Sequence, residues 1–259
     1  MDNSLIRKII DYWNNQPCNI KHGQSPFGTE QYFNEVTAKR YKAEPHIKEF
    51  AGFEEWQGKK VLEIGSGIGT DGEQFARHGA DYTAIDISDE SLKICKQRFD
   101  LLNLHGKFIN GSVTDVDFLK SLGTFDLVYS FGVLHHTPGM KNHLENISNL
   151  LALGGELRFM VYAHNSWKYA MIQKGLDQFE AQADCPYAET FTKQDIIELL
   201  NPYYHDIEIK QVHCFMYNIP LYKQGIYQLE PWFESMPDTM REAINEHLGW
   251  HLLVKAHKK

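Results

Sequence analysis

The stretch Val61-Leu62-Glu63-Ile64-Gly65-Ser66-Gly67-Ile68-Gly69-Thr70-Asp71-Gly72 decides how this chain folds. Val61 to Ile64 has the composition of a short buried strand, and Gly65, Gly67 and Gly69 strip side chains from the turn that follows. Helical character runs from Asp71 to His78, with Phe75 and Ala76 directed towards a sheet. A strand, a bare turn and a helix N-terminus make a cradle. Backbone N–H groups approach a ligand closely there, and the helix dipole favours its electron-rich groups. Such a cradle suits a cofactor of nucleotide type.

Two cofactor classes compete for it. Gly67-x-Gly69-x-x-Gly72 has the form of the dinucleotide fingerprint, whose first glycine directly follows the strand. Here the strand ends at Ile64, so the match begins two residues late, and counted from Gly65 its third glycine position is Thr70. The better description is Glu63-x-Gly65-x-Gly67-x-Gly69, with a carboxylate as the last outward residue of the strand. That pattern resembles motif I of the class I S-adenosylmethionine-dependent methyltransferases. The resemblance implies that Glu63 lies near the amino-acid end of S-adenosyl-L-methionine, and that Gly65, Ser66, Gly67 and Gly69 carry the backbone beneath it. A second acid is expected about twenty residues on, after the next strand, for the ribose hydroxyls. Asp86 closes Tyr82-Thr83-Ala84-Ile85 at that place, with Ile87 beside it.

The pattern from Lys60 alternates strand and helix, which implies a parallel sheet with right-handed crossovers. Ser88 reads as the N-cap of a helix to Leu102 that carries Leu92, Cys95 and Phe99 on one face. Gly106 to Asn110 is a third strand, and Gly111-Ser112-Val113-Thr114-Asp115 follows it. In the family the adenine is read there, commonly by an acid directly after the glycine. Ser112 occupies that position, so the resemblance leaves the adenine to Ser112, to the Val113 N–H or to Asp115. Phe125 to Ser130 is a fourth strand running into Phe131-Gly132-Val133-Leu134-His135-His136-Thr137-Pro138. This resembles the family's motif IV in its small-molecule form, which sets Ser130 at the cofactor, and lacks the Asn/Asp-Pro-Pro-Tyr of many amino-methylating enzymes. Leu157 to Tyr162 is a fifth strand, so the resemblance covers about residues 57–165.

The expected architecture is a Rossmann-like α/β fold: a seven-stranded, mostly parallel sheet with helices on both faces and aromatic caps at each end. Residues 57–259 would form the domain, with His205 to Phe215 and Gly249 to Ala256 as its last strands. Residues 1–56 form a lead-in, opening on an amphipathic helix with Leu5, Ile6, Ile9, Ile10 and Trp13. It is expected to close over the cofactor as a lid, and deletion of residues 1–40 is expected to spare the fold. Insertions are expected at about 164–190, with Trp167, Tyr169 and Phe179, and at 216–248, with Tyr217, Tyr227 and Trp232. Thr192-x-x-Asp195 reads as a capping box between them.

Composition narrows the acceptor. The chain of 259 residues has a formal net charge of −8 and no basic stripe beyond Lys255-Ala-His-Lys258-Lys259, which disfavours nucleic acid. No stretch has the apolar length of a transmembrane helix. A small-molecule acceptor is expected, without nucleic acid or membrane. Four cysteines, Cys18, Cys95, Cys185 and Cys214, lack disulfide or metal spacing and fit a reduced, cytoplasmic setting.

Methyl transfer from a sulfonium is an in-line displacement that gains chiefly from orientation in a water-poor pocket. A hydroxyl acceptor also profits from a base, and His135 and His136 lie just past the fourth strand, at the sheet edge where ligands of open α/β folds bind. They are the candidate catalytic residues, and oxygen is the favoured methylated atom. A thiol or metalloid methyltransferase using the cysteines is one alternative, and a protein that binds the cofactor without methylating is another. Thirteen histidines are many, and His46, His135, His136, His213 and His251 could converge only through the fold. Their spacing contains no helical metal motif, and no metal ligands are assigned.

Overall fold

In the computed structural model, which describes residues 3–177, 184–222, 224, 226 and 228–259, the glycine stretch sits at the centre of one sheet. The lead-in folds as α1 (Asn3–Asn15), α2 (Glu30–Ala43) and α3 (His46–Ala51). Thr29 caps α2 by accepting from the Tyr32 N–H, and Tyr32, Phe33, Val36 and Tyr41 become buried along it.

The alternation then follows in order: β1 (Lys60–Ile64), α4 (Thr70–Arg77), β2 (Asp81–Asp86), α5 (Asp89–Leu101), β3 (Lys107–Asn110), α6 (Val116–Lys120), β4 (Phe125–Phe131), α7 (Met140–Leu150) and β5 (Leu151–Tyr162). Ser88 caps α5 by accepting from the Ser91 N–H, as its position before an acidic first turn predicts. The fifth strand begins at Leu151, earlier than its apolar run, because Phe125 pairs with Leu151 before a register shift at Leu127.

Beyond it come α8 (Trp167–Gln173), α9 (Lys193–Leu200), β6 (Tyr204–Val212), α10 (Ile219–Tyr222), α11 (Pro231–Glu234), α12 (Asp238–Leu248) and β7 (His251–Lys258). The Thr192–Asp195 capping box opens α9. Strand β6 stops at Val212, short of Phe215, where His213 takes the left-handed conformation with φ 73°. The sheet order is β3-β2-β1-β4-β5-β7-β6, with β7 antiparallel to both neighbours. Helix α8 lies within 164–190, and α10, α11 and α12 lie within 216–248; Phe179 and Tyr227 lie outside the described residues.

Two cores flank the sheet. Leu62, Val128, Leu157 and Val254 face one side with α7 and α9, while Val61, Leu127, Tyr129 and Phe75 face the other with α3. Strand β1 is bordered by β2 and β4, so the chain changes direction across the sheet there. The crevice beyond such a point is where open α/β sheets bind ligands.

Candidate functional site

A cavity enclosing about 840 Å³ of unfilled space, part of it open solvent, occupies that crevice. Its floor is Glu63, Gly65, Ser66, Gly67, Ile68, Thr70 and Asp71; one wall is Asp86, Ile87 and Ser91, and another is Phe131, Gly132, Val133, His136 and Thr137. Ile9, Trp13, Cys18, Asn19 and Arg40 reach it from the lead-in.

Strand geometry sets the acids. Glu63 and Asp86 stand at or next to the carboxyl ends of adjacent parallel strands, β1 and β2. Asp86 Oδ2 accepts from the Gly67 N–H at 2.9 Å and Oδ1 from the Ser88 N–H at 2.8 Å. Burial raises its carboxyl to about 6, against these backbone bonds, which favour the ionised form. Gly67 has φ 52°, and a Cβ there would meet nothing within 4 Å, so the turn offers open space above bare backbone.

Glu63 Oε2 accepts from the Tyr82 hydroxyl at 2.5 Å. Burial, with Asp71 nearby, pushes the Glu63 carboxyl well above the usual carboxylate range. Asp71 accepts from the hydroxyls of Tyr41 and Tyr129, each at 3.0 Å, and from Arg40 Nη2 at 3.2 Å. Arg40 also pairs with Glu44 at 3.5 Å and stacks over Phe131. Three acids and one guanidinium therefore line the cavity. Arg98, buried beneath, ties α5 to α4 through Glu73 at 2.6 Å and Thr70 at 3.0 Å, and holds α2 through the Thr37 hydroxyl.

The two neighbouring histidines lie with ring centroids 4.3 Å apart, but only His136 lines the cavity. His136 lines the cavity, its Nδ1 is 2.8 Å from the Tyr187 carbonyl, and its ring meets Trp13 edge-on at 5.4 Å. A carbonyl only accepts, so Nδ1 carries the proton and Nε2 the lone pair. His135 turns inward with 0% exposure and packs 3.9 Å from the Tyr162 ring. Neither of its nitrogens has a hydrogen-bond partner among the described residues, and burial lowers its pKa well below 6.5. His135, expected beside His136 as a catalytic residue, is therefore enclosed behind the cavity wall and does not line it.

Other expected residues stand off the cavity. Ser130 is wholly buried, its hydroxyl donating to the Ile64 carbonyl at 3.0 Å, so it supports the strand beneath the site. Gly69 forms the left-handed N-cap of α4 against Cys95. Ser112 Oγ lies 2.8 Å from Thr114 Oγ1, the Val113 carbonyl accepts from Asn146, and the Asp115 carboxylate caps α6. None of Ser130, Gly69, Ser112, Val113 and Asp115 lines the cavity. Conversely, Arg40 and Asp71 were not singled out from the sequence. Asp71 follows the glycine turn directly, a signal that was available; Arg40 arrives from a helix about thirty residues away and carried none.

Elsewhere, His46, His213 and His251 place ring nitrogens within 4.8 Å of one another. Among the described residues no helix is long and apolar enough to cross a membrane.

Residues 62–157 match a family model described as a methyltransferase domain. A ubiquinone biosynthesis O-methyltransferase of Coxiella burnetii is 31% identical over 114 residues, 44% of this chain and 47% of that protein. The chain thus spans about half the length of the curated relatives it matches. Magnesium protoporphyrin IX methyltransferase from Synechocystis with bound S-adenosylhomocysteine superposes with a TM-score of 0.61 at 15% identity, covering 98% of this chain and 99% of that one. The N-methyltransferase NodS from Bradyrhizobium japonicum, also with S-adenosylhomocysteine, gives 0.54 at 17% identity, covering 98% and 96%.

Proposed function

We propose, for a chain whose residues 62–157 form a methyltransferase domain of the class I S-adenosylmethionine-dependent family, that it moves a methyl group from S-adenosyl-L-methionine to a small-molecule acceptor, with oxygen as the favoured atom. The observation that carries this reading is one cavity joining Glu63, bare Gly67 and Asp86 on one side to His136 on the other.

The cavity suits that cofactor. When bound, S-adenosylmethionine supplies an electrophilic methyl on a sulfonium. Asp86 can exchange its Gly67 N–H for ribose hydroxyls, which it accepts from when ionised. Arg40 matches the amino-acid carboxylate, Asp71 favours its ammonium and the nearby sulfonium, and an approaching ammonium draws the raised Glu63 carboxyl back to its ionised form. Trp13, Ile9, Phe131 and Val133 keep the space poor in water. His136, with Nδ1–H committed to Tyr187, has the tautomer in which Nε2 takes a proton from an acceptor hydroxyl. The lead-in segment, 1–56, acts as the lid, and the insertions border the acceptor.

The relative's name as an O-methyltransferase favours oxygen. A net charge of −8 favours a small acceptor over nucleic acid. A second reading, thiol or metalloid methylation, draws on Cys18 in the cavity wall and on Cys185 Sγ, 3.5 Å from His136 Nδ1. Incubation with methyl-labelled cofactor and fractionated metabolites, beside thiols and arsenite, distinguishes the two by the labelled product. Calorimetry that finds NAD binding and no S-adenosylhomocysteine binding would overturn both.

A further inference from the structure

The three-histidine cluster lies outside the methyl-transfer cavity, behind Phe131. His46 opens α3, His213 follows β6 and His251 begins β7, so residues from three distant segments meet at one point. His46 Nε2 is 3.1 Å from His251 Nδ1. His213 stacks on His251 at 4.4 Å between centroids, and its Nδ1 is buried with no hydrogen-bond partner among the described residues. Two neutral imidazoles can share one hydrogen bond, but that leaves the third ring's buried nitrogen unsatisfied. We propose that His46, His213 and His251 bind a divalent transition metal ion of the zinc class, leaving one exchangeable position.

Geometry supports the assignment. Zinc–imidazole bonds of about 2.0–2.1 Å in a tetrahedron set ligand nitrogens roughly 3.3 Å apart, close to the spacing of His46 and His251. The other ligand atoms lie within 4.8 Å of one another, a distance that rotation of the imidazole rings can close. His213 is held at φ 73°, a left-handed conformation uncommon outside glycine, by the Trp250 N–H donating to its carbonyl at 3.1 Å.

The surrounding charge is balanced. Arg40 is paired with Asp71 and Glu44, Lys168 with Asp177 and Lys210 with Glu49, and Glu44 Oε1 lies 3.8 Å from His251 Nδ1. An access route exists as well. His46 borders a second cleft enclosing about 730 Å³ of unfilled space, part of it open solvent, which Glu49 and Glu208 also line. A bound ion would tie the lead-in to the last two strands, independently of any methyl acceptor.

The test loads the chelator-treated full chain with zinc(II) or cobalt(II). One zinc per chain is expected, with a rise in melting temperature, and cobalt is expected to give d–d absorption without thiolate charge-transfer bands. His46→Asn and His213→Ala, at the two half-buried ligands, should each lose zinc affinity by more than the roughly 100-fold typical of losing an outer-shell partner. His205→Ala, at a histidine paired with Asp206 elsewhere, should bind as the parent does. S-adenosylhomocysteine binding by His46→Asn reports that the variant is folded. No zinc binding by the parent chain, binding unchanged in folded His46→Asn, or a thiolate cobalt spectrum would each overturn the proposal.

Discussion

The Asp86 carboxylate accepts a hydrogen bond from the Gly67 N–H across 2.9 Å, joining the two strand-end turns that floor the cavity. Burial raises this carboxyl to about 6, so the free protein exchanges a proton there within an accessible pH range. Ribose hydroxyls donate to the ionised form and lower its pKa in the complex. S-adenosylhomocysteine affinity should therefore be greatest above pH 6. It should weaken below that, approaching about tenfold per pH unit, as one proton competes with the ligand. Asp86→Asn should bind weakly and lose this dependence. A pH-independent parent affinity from 5 to 8 would count against Asp86 as the ribose ligand.

Gly72 is needed for what it leaves empty. A Cβ there would sit 2.1 Å from the Tyr82 hydroxyl and 3.0 Å from Glu63 Oε2, inside their mutual hydrogen bond. Gly72→Ala should cost about 1–3 kcal/mol of stability through overpacking. It should also weaken S-adenosylhomocysteine binding by displacing Glu63. Phe in place of Tyr82 would still leave Cζ 2.4 Å from that Cβ, so Tyr82→Val is the partner change: it removes the colliding ring, and the double variant should lose less than the sum of the singles. Strict additivity in denaturant titrations would contradict the steric account.

His136 and His135 should separate by readout. His136→Ala should lower the turnover rate by roughly 10²–10⁴ with cofactor affinity near that of the parent, as expected for a lost general base. His135→Ala opens space beside Tyr162, so it should lower stability by roughly 0.5–3 kcal/mol. Equal and mild kinetic effects from both would mean that orientation alone carries the reaction.

Local rules carried the sequence reading wherever neighbours in the chain decide the outcome. The Glu63 strand end, the Ser88 cap and the Thr192–Asp195 box each depend on residues within a few positions, and each forms as read. The parallel part of the sheet followed from strand–helix alternation in the same way. What escaped depends on distant partners. Arg40 meets Asp71 only because α2 folds back over α4, and the three histidines join only where β6 and β7 meet the lead-in. Ser130 stands off the cavity because neighbouring strand residues face opposite ways, and the next residue, Phe131, lines it. Ser112 and Asp115 stand off the cavity, the Ser112 hydroxyl bonding Thr114 and the Asp115 carboxylate capping the short helix α6.

The lead-in offers the last prediction, because the structure corrects how a truncation must be made. Phe33 and Val36 are wholly buried, and Arg40 holds Asp71, so removing residues 1–40 would open the core as well as the lid. The more separable part is α1, whose buried hydrophobic among the described residues is Ile9, at the cavity wall. Its Asn14 Oδ1 accepts from the Ser88 hydroxyl at 2.9 Å and from the Glu90 N–H at 3.3 Å, docking the helix on the turn after Asp86. Trp13 then rests against His136. Deleting residues 1–15 should leave one cooperative unfolding transition, yet reduce turnover by about 10²-fold or more, since reactants are no longer held in register. Asn14→Ala removes only the docking bonds, about 1 kcal/mol, and should weaken S-adenosylhomocysteine binding several-fold. Normal turnover in the truncated protein, with its transition intact, would show that α1 packs against the domain without serving as a lid.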